Sequence, residues 1–111
     1  MLSKQQRIGT PNLKKVLQTG LRVESPLFSM KVLSGQKSLR FAVVVPKKVS
    51  LKAVVRNVLK RRVSHVLRDL SPRLIQSPYV ALTLKKGVEA LSFTALTHEL
   101  EVLFKKARLL S

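Results

Sequence analysis

Apolar and basic residues alternate at helical spacing through the stretch LKAVVRNVLKRRVSHVLRDL, residues 51–70. At 3.6 residues per turn, Val55, Leu59, Val63, Val66, Leu67 and Leu70 gather within a third of the circumference. That stripe predicts a helix from Lys52 or Ala53 to about Leu70. Upstream, Thr10-Pro11 suits a helix start, with Thr as N-cap and Pro at the first helical position. Leu13, Val16 and Leu17 share its face and Gly20 supplies the stop. Residues 21–33 read as a strand, with Phe28, Met30 and Val32 on one side and Ser29 and Lys31 on the other. Pro26 marks an edge, a bulge or a break in that strand.

The stretch SGQK reads as a hairpin turn into a second strand, residues 39–45, with Leu39, Phe41, Val43 and Val45 facing one way. A basic connection, PKKVSLK, leads into the long helix, and SPRLIQSP leaves it as a loop. Tyr79 to Leu84 is a third strand, apolar except at Thr83, which predicts burial on both faces. A turn and cap, KKGVEALS, precede a last helix from about Phe93 to Ala107, with Leu96, Leu100, Leu103, Phe104 and Ala107 on one face. The order α-β-β-α-β-α predicts an α+β fold, an α/β sandwich built on one sheet. No repeat or low-complexity segment divides the chain, so residues 1–111 are expected to form a single domain.

Charge changes the picture. Lys and Arg number 22 against 5 acids, a formal net charge of +17. The acids are Glu24, Asp69, Glu89, Glu99 and Glu101, and none falls between Ser25 and Arg68. A domain with that field repels itself, so a polyanionic partner is implied. On the long helix one flank carries Arg56, Asn57, Lys60, Arg61 and Arg68 beside Ser64, and Lys52 extends it in steps of four. Like charges at that spacing destabilise a helix by a few tenths of a kcal/mol per pair. A merely solvated face would interleave carboxylates, so the band reads as a phosphate-binding surface. Its arginines offer bidentate forks and its lysines mobile point charges. Lys47 and Lys48 lengthen it toward the helix N-terminus, where free N–H groups also favour anions.

Other chemistries are thinly supplied. Without Cys there is no disulfide, thiolate metal site or Cys nucleophile. The scattered acids do not suit a metal-dependent nuclease centre, and no phosphate loop or catalytic triad is present. Catalytic and metal-ligating residues are therefore expected to be absent. His65 and His98 fall on different helices and read as solvated or partly packed side chains. Most of Phe28, Phe41, Tyr79, Phe93 and Phe104 belong to apolar faces, with Phe28 the candidate for a sheet-surface contact to RNA bases. The start, MLSKQQRIGTPNLKK, has no apolar run of signal-peptide length, and no run approaches a membrane span. A soluble cytoplasmic protein with no membrane partner and no small-molecule cofactor is the expectation.

The segment VVPKKVSLKAVVRNVLKRRV resembles the protein subunit family of bacterial ribonuclease P. That family has a strand ending in two lysines, a short step, then Ala-x-x-Arg-Asn-x-x-Lys-Arg on a helix. Lys47-Lys48, Ala53, Arg56-Asn57 and Lys60-Arg61 match it, and both flanks are similar as well. The resemblance implies a sandwich like the second domain of ribosomal protein S5, with a central mixed sheet and a left-handed β-α-β crossover. It implies a partner catalytic RNA that removes the 5′ leader of precursor tRNA, with Mg²⁺ bound mainly by the RNA. Lys47, Lys48, Lys52, Arg56, Asn57, Lys60, Arg61 and Arg68 would bind that RNA subunit. Leu13, Leu17, Phe28 and Lys31 would hold the leader between the first helix and the sheet. Three positions depart from the family pattern. Val58 stands where a third basic residue is usual, Leu13 and Leu17 where Phe is frequent, and Lys31 where a strand aromatic is found. A ribosomal or structural RNA-binding protein is the alternative.

Overall fold

The computed structural model describes residues 7–110, leaving the two ends of the predicted 1–111 domain outside the described residues. Its elements are α1 (Thr10–Thr19), β1 (Leu21–Glu24), β2 (Phe28–Leu33), β3 (Arg40–Val44), α2 (Ala53–Leu70), β4 (Tyr79–Leu84) and α3 (Phe93–Lys106). Short 3₁₀ turns follow α2 at Ser71–Arg73 and precede α3 at Val88–Ala90. The predicted α+β class and the bounds of α2 and β4 hold.

The N-cap of α1 is Gly9, not Thr10, and Pro11 sits in the first turn, where its missing N–H costs nothing. Gly20 ends α1 in extended conformation, at φ −68°. Close approach explains its identity. A Cβ there would lie 2.5 Å from the Val16 carbonyl oxygen and 3.3 Å from Lys31 Cβ. The predicted 21–33 strand is a hairpin folded at Ser25-Pro26-Leu27. Val23 pairs with Met30 and Arg22 with Lys31. Ser25 Oγ accepts the Phe28 N–H at 3.1 Å and closes the turn.

The SGQK connection is not a hairpin turn. The sheet order is β1-β2-β4-β3, so β4 lies between the two strands that SGQK joins. β4 runs antiparallel to β2 and parallel to β3. Its composition accounts for the central place. Val80, Ala81, Leu82 and Leu84 are all buried, and only a strand covered on both faces can bury such a run. On one face Phe28, Met30, Val32, Phe41, Val80, Leu82 and Leu84 pack against the apolar stripes of α2 and α3. On the other, α1 and Ile8 cover Ala81 with Val16, and Leu13, Leu33, Ala42 and Tyr79 pack around them. The second cluster is small. It leaves Ser29, Lys31 and Thr83 half-buried as a shelf beside α1. Ser92 caps α3 by accepting the Ala95 N–H at 3.1 Å.

Candidate nucleic-acid interface

The apolar stripe of α2 decides where its cations point. Leu59, Val63, Val66, Leu67 and Leu70 are buried, and Val55 packs against them. Lys52, Asn57, Lys60, Arg61 and Arg68 are thereby left exposed, as are Lys47 and Lys48 before the helix. Arg56 is half-buried, and its Nη1 donates to the Ser50 carbonyl at 2.8 Å. Ser50 Oγ in turn accepts the Lys52 N–H at 3.2 Å. The strand-to-helix step is thus tied down by one residue of the band, which leaves the remaining guanidinium donors of Arg56 for a ligand.

Three of the five acids, Glu24, Asp69 and Glu101, are engaged with groups outside this band. Glu24 pairs with Arg22 and Lys85. Arg73 pairs with Glu101 at 3.7 Å, and His65 faces Asp69 at 3.4 Å. Lys47, Lys48, Lys52, Arg56, Lys60 and Arg61 take part in none of these ion pairs. Glu24 is the strongly perturbed group. Hydrogen bonds from Lys85, then Ser29, then Arg22 lower its pKa from 4.5 to about 2. Lys85 also donates to the Ser25 carbonyl and Lys106 to the Glu24 carbonyl. This cluster ties the β1–β2 hairpin to the segment after β4 and to α3. His65 stacks edge-on against Phe93, with ring centroids 5.5 Å apart, and His98 is exposed on α3.

Of the four residues assigned to the leader, three meet at α1. Leu13 is half-buried against the small cluster, and Leu17 is 40 % exposed. Lys31 reaches from β2 to the Leu17 carbonyl, Nζ to oxygen 2.6 Å. Phe28 does not join them. It is 0 % exposed, on the opposite face of the sheet from Lys31. Burying such a side chain stabilises by about 1.5–3 kcal/mol. Stacking one base yields about 1–3 kcal/mol, so turning the ring outward gains nothing and leaves a cavity. Phe28 is core and, contrary to expectation, presents no surface to a base.

Three residues outside the predicted set meet near the free edge of β3. Arg7 bridges to Phe41 along the free edge of β3, with the Ile8 N–H donating to the Phe41 carbonyl at 2.9 Å. Arg40 Nη1 donates to the Arg7 carbonyl at 3.5 Å. Ser64, expected on the polar flank, is only 5 % exposed. It lines a recess between α2 and the β3 edge, together with Lys60 and Arg7. No local pattern signals this grouping, because it depends on which strand lies at the sheet edge. Among the described residues no three of His, Cys, Asp and Glu gather as a metal site, and no helix is long and apolar enough to cross a membrane.

Comparison with known proteins agrees with this geometry. The Ribonuclease P family model matches residues 2–108. A ribonuclease P protein component from Rippkaea orientalis is 29 % identical over 116 residues, spanning 98 % of this chain and 91 % of that one. One from Streptococcus pyogenes is 37 % identical over 76 residues, 68 % of this chain and 62 % of the relative. The Staphylococcus aureus RNase P protein superposes with a TM-score of 0.86 at 18 % identity, covering 97 % of this chain and all of that one. The Thermotoga maritima protein gives 0.80 at 21 % identity, over 90 % and 96 % of the two chains. The chain belongs to the ribonuclease P protein family.

Proposed function

We propose that this member of the ribonuclease P protein family binds a catalytic RNA and the 5′ leader of precursor tRNA, and that the RNA performs the cleavage. The observation that carries the reading is the cationic flank of α2, where Lys52, Arg56, Lys60 and Arg61 stand exposed or half-exposed without a carboxylate partner. Family membership favours this role over the ribosomal alternative.

The chain's own chemistry is binding. Arg56 and Arg61 grip phosphates as forks, Lys52 and Lys60 as point charges, and Lys47 and Lys48 continue the track. Arg68 and Asn57 widen it. Each neutralised phosphate releases counterions, which drives association at low salt. Leu13, Leu17 and Lys31 would receive the leader on the shelf beside α1. With aliphatic side chains there and Phe28 buried, leader binding rests on charge and apolar contact. Val58, in place of the usual third basic residue, is exposed and adds no charge.

The donors of the described residues do not fit a Mg²⁺ site. Among those residues the acids do not converge, and Glu24 is held by Lys85, Ser29 and Arg22. In this proposal Mg²⁺ stays with the RNA. The test is reconstitution of the chain with a bacterial ribonuclease P RNA and precursor tRNA at low Mg²⁺. Stimulated 5′ cleavage is expected, and no stimulation at any protein concentration overturns the reading.

A further inference from the structure

At the free edge of β3, two strands away from Lys31, lies a recess of about 230 Å³. Ile8, Phe41, Ala42 and Val43 form its apolar wall, and Arg7 and Lys60 stand at its rim. Neither cation takes part in an ion pair among the described residues.

Two polar features border it. Ser64 is 5 % exposed, and its hydroxyl makes no hydrogen bond among the described residues. No fully buried side-chain N or O among the described residues lacks a partner. The Ser64 oxygen therefore keeps some contact with solvent, and its residue lines the recess. The second feature is backbone. The Phe41 carbonyl points out of the sheet edge, where it accepts the Ile8 N–H at 2.9 Å. Strand alternation returns that direction two residues on, so the N–H and C=O of Val43 also face outward. β3 is an edge strand, and among the described residues these groups have no neighbouring strand to pair with.

A partly open, mainly apolar recess, a backbone donor and acceptor side by side, a hydroxyl without a protein partner among the described residues and two cations suit one ligand chemistry. It is a flat heteroaromatic ring with a hydrogen-bonding edge, carrying a phosphate. The size admits one ring system, since the recess is smaller than the roughly 300–1,000 Å³ of drug-sized pockets. A peptide strand adding to β3 would also satisfy Val43. The N-terminal segment already occupies the edge at Phe41, however, and leaves too short a length for a ladder.

We propose that this recess receives a single nucleotide, its base against the wall and the Val43 backbone and its phosphate between Arg7 and Lys60. The proposal deepens the RNA-binding reading and rests on it. The nucleotide comes either from an RNA strand or from the free mononucleotide pool.

The experiment is NMR titration of the isotope-labelled full chain with the four nucleoside 5′-monophosphates and, at equal ionic strength, with ribose 5-phosphate. At least one mononucleotide is expected to shift the Val43, Ile8 and Ser64 amides saturably, while ribose 5-phosphate leaves Val43 in place. Equal shifts from the base-free sugar phosphate, or none from any mononucleotide, overturn the proposal. Ser64→Leu fills the recess without changing charge and is expected to weaken mononucleotide binding about tenfold. Undiminished binding by the folded variant also overturns it. The wild-type titration decides alone if that variant fails to fold. A short single-stranded RNA that displaces the mononucleotide from Val43 assigns the site to a strand. An RNA that binds without displacing it assigns the site to free nucleotides. Precursor tRNA cleavage stimulated by a preparation with no base-dependent shift refutes the recess and leaves the ribonuclease P role standing. Base-dependent shifts without stimulation do the reverse.

Discussion

Lys31 Nζ donates to the backbone carbonyl of Leu17 at 2.6 Å, joining the middle of β2 to the last turn of α1. A helix leaves its final carbonyls without intrahelical partners. In α1, Lys15 O takes the Thr19 hydroxyl and Val16 O takes the Gly20 N–H. Lys31 serves the next carbonyl and brings a positive charge to the negative end of the helix. The same ammonium lies on the shelf proposed for the leader.

Replacing Lys31 separates these roles. Lys31→Gln keeps a side-chain donor, one bond shorter, and removes the charge. The variant is expected to melt close to the parent and to lose several-fold of its preference for precursor over mature tRNA. Binding titrations with the two RNAs measure that ratio, and equal losses for both would move the leader off this shelf.

Arg56 combines an observed contact to Ser50 with a proposed role in RNA binding. Arg56→Ala is expected to weaken RNA-subunit affinity by about 1–3 kcal/mol, the range for charged hydrogen bonds. Loss of the Ser50 contact should also lower stability by about 1 kcal/mol, since the side chain is half-buried. Circular dichroism melts and RNA titrations read the two effects separately. Unchanged affinity removes Arg56 from the interface.

If the α2 flank binds RNA as proposed, salt dependence counts the phosphates it meets. The double variant Lys60→Gln, Arg61→Gln should reduce the slope of log affinity against log salt by about 1.5, from roughly 0.7–0.9 per contact. Its affinity should converge with the parent's as salt rises. An unaltered slope would mean that these two side chains contribute only to the diffuse field.

Glu24 predicts an acid limb. Lys85, Ser29 and Arg22 lower its carboxyl from 4.5 to about 2 in the folded chain. The unfolded chain therefore takes up the proton first as pH falls. The stabilisation from the charged form is complete above about pH 4.5 and is lost down through about pH 2. Glu24→Gln should be less stable than the parent by a constant margin from pH 5 to 7, and the margin should close between pH 4 and 2. Urea midpoints for both proteins at pH 7, 4, 3 and 2 check this, and a margin independent of pH would refute it.

The helices were legible in the chain because their signal is local. One apolar stripe at 3.6-residue spacing set the bounds and buried face of α2, and with them the outward direction of Lys52, Lys60 and Arg61. The continuous apolar run of β4 likewise announced burial on two faces. Alternation along β2 already put Phe28 and Lys31 on opposite sides, so the two could not share a surface. Strand partnership is a different kind of fact. Neighbouring strands need not be neighbours in sequence, and SGQK looked like a hairpin until β4 took the place between the strands it joins. That exchange left β3 at the edge, brought Arg7 and Ile8 alongside it, and set Ser64 over a recess instead of in solvent. Periodicity reports which way a side chain faces along its own element. Only the sheet order and the packing of helices across it decide what that side chain meets.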